Sequence, residues 1–101
     1  LINKERKMIA VFKYIIHPFT LETELGEGAK ILSVGYQNGN ICLWAQTDTE
    51  LGYEVRRFKV FGTGREIEEI KGYELKFIGT VQYPDGLVFH VFEELKKSNL
   101  I

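Results

Sequence analysis

Through most of this chain apolar residues recur at every second position, the spacing of β-strands with one face in a core and the other in water. Phe19, Leu21, Thr23 and Leu25 alternate with Thr20, Glu22 and Glu24, so residues 19–25 form a strand wet on one face. Residues 8–16 are β-branched, aromatic or aliphatic at nearly every position, which predicts a strand covered on both faces. Asn38-Gly39 joins two β-prone runs, 30–36 and 41–45. A type I′ turn needs positive φ at both central residues, and Asn-Gly supplies it. The resulting hairpin pairs Gln37 with Asn40, Tyr36 with Ile41 and Val34 with Leu43.

Further strands are expected at 53–61, 73–83 and 87–93, the last two joined by the tight turn Pro84-Asp85-Gly86. In the first, Tyr53, Val55, Arg57, Lys59 and Phe61 share one face, and Glu54, Arg56, Phe58 and Val60 the other. In 73–83, Tyr73, Leu75, Phe77, Gly79, Val81 and Tyr83 share a face. Ile67 and Ile70, three apart in the charged segment 65–72, make it either a single helical turn or an irregular loop, and the charged tail after Glu93 can form a fraying helical turn. The expectation is an all-β fold, a small antiparallel sandwich or partly closed barrel of about seven strands with at most two short helical turns. With 101 residues there is room for one domain, placed at 8–94, followed by a flexible tail at 95–101. Residues 1–7 precede Met8, and Lys4-Glu5-Arg6-Lys7 reads as a translated purine-rich stretch, so they are expected to be upstream sequence. Because several strands are apolar on both faces in so small a domain, a homo-oligomer is expected to cover what one copy exposes.

Several chemistries lack their parts. Cys42 is the single cysteine, which excludes an intramolecular disulfide and a cysteine-based metal site within one chain and fits a reducing, cytoplasmic compartment. It lies in an apolar strand beside Trp44, as expected of an inert buried thiol. His17 and His90 are the only histidines and have no metal-ligand spacing, and His90 is read as a half-buried ring satisfied by a neighbour. No nucleophile elbow or phosphate-binding loop motif occurs, so neither catalysis nor a cofactor is expected. Thirteen Lys and Arg against 14 Asp and Glu give a net charge of −1, which argues against long nucleic acid as a partner. No apolar run approaches the roughly 20 residues needed to span a bilayer as a helix.

One segment carries parts of a binding site. Arg56, Arg57, Lys59 and Arg65 can pair with phosphates, and Gly62, Thr63 and Gly64 form a turn whose amides and hydroxyl can cradle one. Trp44 or Tyr53 can stack a base. The opposing reading is a strand whose cations are absorbed by cross-strand carboxylates, with Glu22 and Glu74 as candidates.

Gly28-Ala29-Lys30-Ile31-Leu32-Ser33-Val34, Cys42-Leu43-Trp44-Ala45, Arg56-Arg57-Phe58, Gly62-Thr63-Gly64, Ile78-Gly79-Thr80-Val81-Gln82 and Leu87-Val88-Phe89-His90-Val91-Phe92-Glu93 occur in that order. In this the chain resembles, over residues 8–94, a family of small, functionally uncharacterised proteins of bacteriophages and prophages. The resemblance implies expression in an infected bacterium and action on host defences. Two expectations follow: a non-catalytic sponge that sequesters a phosphate-bearing nucleotide of cyclic oligonucleotide or ADP-ribose type, or an inhibitor that binds a host protein. A virion accessory protein is the third. A deep basic cleft would favour the sponge, and a flat apolar patch or unpaired edge the inhibitor.

Overall fold

A computed structural model of the chain describes residues 7–17 and 22–97. Seven strands follow in order: β1 (Ile9–Ile16), β2 (Glu22–Gly26), β3 (Lys30–Gln37), β4 (Asn40–Asp48), β5 (Tyr53–Gly62), β6 (Tyr73–Gln82) and β7 (Val88–Lys96). They form two antiparallel sheets, A with order β1-β4-β3 and B with order β2-β5-β7-β6. The fold is a small all-β sandwich, with no helix among the described residues and no closed barrel. The β3–β4 hairpin turns at Asn38 (φ 50°) and Gly39 (φ 82°) and keeps the expected register at Gln37, Tyr36 and Val34.

Alternation explains the core. Ile16 from β1, Ile41, Leu43 and Ala45 from β4, Leu25 from β2, Phe58 from β5, Val81 from β6 and Val91 from β7 meet between the sheets and exclude water. Burial of this kind stabilises by about 25 cal/mol per Å² of apolar surface, so these residues dominate the folding free energy. The expected faces of β5 hold, since Phe58 and Val60 point inward.

Two sequence expectations are corrected. In β6 a bulge between Phe77 and Gly79 inserts Ile78, which packs against the core. The extra residue switches the strand's faces, so Tyr73, Leu75 and Phe77 lie outside while Val81 and Tyr83 turn inward. Of the two readings of the charged segment, the irregular loop is the one seen at 65–70. Strand β7 runs on to Lys96 rather than ending at Glu93, because Glu94 and Leu95 continue its ladder with β6. The alternating run at 19–25 is seen only from Glu22 onward, and its first three residues lie outside the described residues, as do 1–6 and 98–101.

The sheets meet at two seams. At one, Gly79 of β6 lies so near Val34 of β3 that an added Cβ would sit 2.7 Å from a Val34 methyl. At the other, the Tyr14 hydroxyl of β1 comes within 3.5 Å of the Gly26 amide of β2, and a Cβ on Gly26 would lie 2.0 Å from the Thr47 methyl of β4. Thr47 is buried, so that methyl has nowhere to retreat. Gly26→Ala should therefore lower stability by about 1–3 kcal/mol through overpacking. Adding Thr47→Ser, which removes the methyl and keeps the hydroxyl, should recover part of that loss in urea unfolding.

Candidate functional site

The segment expected to bind phosphate is β5 and the turn after it. Adjacent residues of a strand point to opposite faces, so Arg56 lies on the inner face while Arg57 and Lys59 lie on the outer. Arg56 meets Glu93 of β7 as a two-pronged pair: Nε donates to Oε2 at 2.7 Å and Nη2 to Oε1 at 2.8 Å. Its third nitrogen donates to the Ala29 carbonyl. Only 5% of the Glu93 side chain is exposed, so this is a largely desolvated pair with planar, directional geometry.

On the outer face Arg57 Nε donates to Glu94 Oε2 at 3.0 Å and Nη1 to Glu22 Oε1 at 3.2 Å. The Lys59 ammonium lies 3.5 Å from the other oxygen of Glu94. Of the two carboxylates weighed as partners, Glu22 serves and Glu74, opposite Leu95, does not. Burial pushes the Glu94 carboxyl up. The hydrogen bond from Arg57 and the charge of Lys59 outweigh it and leave the group below its ordinary value. The three cations Arg56, Arg57 and Lys59 are thus held by carboxylates of the same fold.

The remaining residues of the expected site do not converge. Tyr53 and Gly62 stand at opposite ends of β5, about 30 Å apart at the rise of an extended strand. Tyr53 is 73% exposed. Trp44 belongs to sheet A, half-buried between Lys13 and Ser33 on that sheet's outer face, with its ring over Gly35. In the Gly62-Thr63-Gly64 turn the Thr63 amide donates to the Val88 carbonyl and the Arg65 amide to the Gly62 carbonyl. Those two donors are therefore not directed at an anion. The Thr63 hydroxyl lies 2.8 Å from His90 Nε2 and the Thr80 hydroxyl 3.0 Å from Nδ1, so His90 is satisfied on both nitrogens. Cys42 is buried, as expected of an inert thiol.

A cleft of 690 Å³ lies beside Lys59, between the irregular segment 67–71 and the outer face of sheet B. Phe92 and Leu75 contribute apolar wall, and the titratable lining is Glu68, Glu69, Glu74 and Glu94 with Lys59, Lys71 and Lys97. A lining with more carboxylates than ammonium groups does not favour a phosphate.

Sequence reasoning missed the outer face of sheet A. Ile9, Val11 and Ile15 of β1 point away from the core there and are all exposed, beside Cys42 and Trp44 of β4. Apolarity on both faces of 8–16 was the signal, although it read as a strand covered on both sides. Lys13, Lys30 and Asp48 are the charges on this face. In β1 itself, among the described residues, the sole strand partner is β4.

These features define a small all-β sandwich domain, and no group of three or more His, Cys, Asp or Glu able to hold a metal occurs among its described residues. The chain belongs to a family described as a domain of unknown function, DUF7352, whose family model matches residues 8–100. No curated protein and no solved structure matches it. No helix among the described residues is long and apolar enough to cross a membrane.

Two outcomes follow from the ion pairs. Glu93→Gln leaves the Arg56 guanidinium half-buried with a neutral partner and should cost roughly 3 kcal/mol in urea unfolding, the lower end for a buried pair broken on one side. Glu94 has its folded-state value depressed, so the stability it adds is complete above its ordinary value of 4.5 and is lost as the pH falls below that, through the lower folded value. Glu94→Gln should flatten that part of the acid limb, measured as the urea midpoint between pH 6 and pH 3.

Proposed function

We propose that this domain acts by binding another protein, without catalysis, through the outer face of sheet A. The observation that carries the reading is the row Ile9, Val11 and Ile15, each 38–56% exposed on one edge strand next to Trp44. Contiguous exposed apolar surface with few charges is what a partner removes from water, and Trp beside aliphatic residues is a common anchor. If the protein acts in a phage-infected bacterium, the partner is a host defence or regulatory protein, and sequestration of that protein is the mode of action.

The nucleotide reading needs Arg57 and Lys59 to exchange Glu94 for phosphate. That exchange would leave a buried carboxylate without its partners, which is costly. A panel of cyclic oligonucleotides and ADP-ribose derivatives should therefore give no thermal shift. A shift of several degrees that is lost in Arg57→Ala would replace the protein-binding reading with the nucleotide one. To test the face directly, a photoreactive amino acid is placed at Gln46, on β4 in the middle of that face, in cells where the protein acts. The expected result is a discrete adduct whose mass is not a multiple of the chain's, absent when the probe is placed at Glu68 in the irregular segment beside sheet B. An adduct at Glu68 alone would sink the proposal.

A further inference from the structure

The four edges of the two sheets are treated differently. At one seam β3 and β6 lie against each other, with Val34 at Gly79. β2 is five residues long and carries Glu22 and Glu24. Among the described residues β1 has none of these protections. It is eight residues long, keeps an unbroken register with β4 and contains neither proline nor bulge. Its one charge, Lys13, is drawn across the sheet, where the ammonium donates to the Gln37 side chain of β3 at 2.7 Å. The residues Met8 to Ile16 combine high β-propensity, low charge and a free edge, the combination that templates strand pairing unless something covers it.

We infer that a second copy of this chain covers it, β1 pairing antiparallel with β1 of its partner about a two-fold axis through Phe12. A two-fold axis perpendicular to the sheet keeps outer face with outer face, so paired positions must share parity. Centred on Phe12, the whole stretch Met8 to Ile16 overlaps: Met8 meets Ile16, Ile9 meets Ile15, Ala10 meets Tyr14, and Val11 meets Lys13. Centring on Lys13 would shorten the overlap and place two ammonium groups opposite each other, which destabilises a ladder. Centring on Val11 shortens it as well. Phe12, an inward-facing residue that remains 45% exposed at this open seam, then gains its counterpart as a neighbour.

The area agrees with this arrangement. One three-stranded sheet with strands of eight or nine residues presents a face of about 27 by 14 Å, roughly 400 Å², or half of a standard interface of about 800 Å² per partner. Joined through β1, two copies make a continuous six-stranded sheet with a face of the full size. The pairing itself stands on the free edge and does not require that a partner occupy the face.

Light scattering and sedimentation of the unmodified protein at about 100 μM should give twice its 11.7 kDa. Val11→Lys, which sets an ammonium group opposite the partner's Lys13 twice in the ladder, should give a monomer with an unchanged β circular-dichroism spectrum. Antiparallel pairs hold Cα atoms about 4.5 or 5.5 Å apart, within disulfide range, so Phe12→Cys should oxidise to a covalent dimer while buried Cys42 stays reduced. A monomer at that concentration, or a dimer that Phe12→Cys does not cross-link, overturns the proposal, and cross-linking through Lys13→Cys instead overturns the register. A monomer that still gives the heavy adduct at Gln46 sinks the pairing and leaves the protein-binding face standing. A cross-linked dimer without that adduct does the reverse.

Discussion

Two consecutive arginines on β5 meet two consecutive glutamates on β7, and the rest of sheet B is arranged around that meeting. Neighbouring residues of a strand face opposite ways, so one ion pair, Arg56 with Glu93, closes on the inner side while the other, Arg57 with Glu94, closes on the outer. Sliding β7 by one residue would turn all of its side chains to the other face and take Val91 out of the core. The ion pairs and the apolar core thus agree on one register, in which Phe58 and Val91 enter the core together.

The same arrangement divides the molecule's two outer faces. Sheet B consumes its charges internally: Glu22, Arg57, Lys59 and Glu94 neutralise one another across three strands. Among the described residues no buried side-chain nitrogen or oxygen lacks a hydrogen-bond partner. Sheet A has little polarity to consume, and its outer face presents Ile9, Val11 and Ile15 to water. Desolvating sheet B's ion-paired face would cost free energy, whereas desolvating sheet A's apolar face releases it. The proposed association uses sheet A for that reason.

Glycine decides how nearly the two sheets approach. Gly79 admits Val34 at the β3–β6 seam, and Gly26 admits Thr47 where β2 passes β4. On the β1 side the sheets are linked by little more than the Tyr14 hydroxyl, near Gly26 and Thr47, so the edge of β1 stays open. Closure at one seam and openness at the other leave a sandwich rather than a barrel, with its most apolar strand outermost in its sheet.

Alternation and turn chemistry are local, which is why the strands, the Asn38-Gly39 hairpin with its register and the two faces of β5 were legible before any fold was known. An I′ turn sets the pairing of the residues next to it, and a pleated strand sorts its own side chains whatever lies opposite. The residues of the expected phosphate site are spread on the same terms: Tyr53 begins β5, Arg65 follows its far end, and Trp44 stands in the other sheet. Which sheet each strand joins, the face switch at Ile78 and the choice of Glu94 as anion for Arg57 and Lys59 were not legible. Each depends on a residue about 15 to 40 positions away, reached through two sheets folding over one core. A sequence states which side of a strand is apolar, but whether that side is covered depends on where the strand falls in its sheet, and β1 falls at an edge.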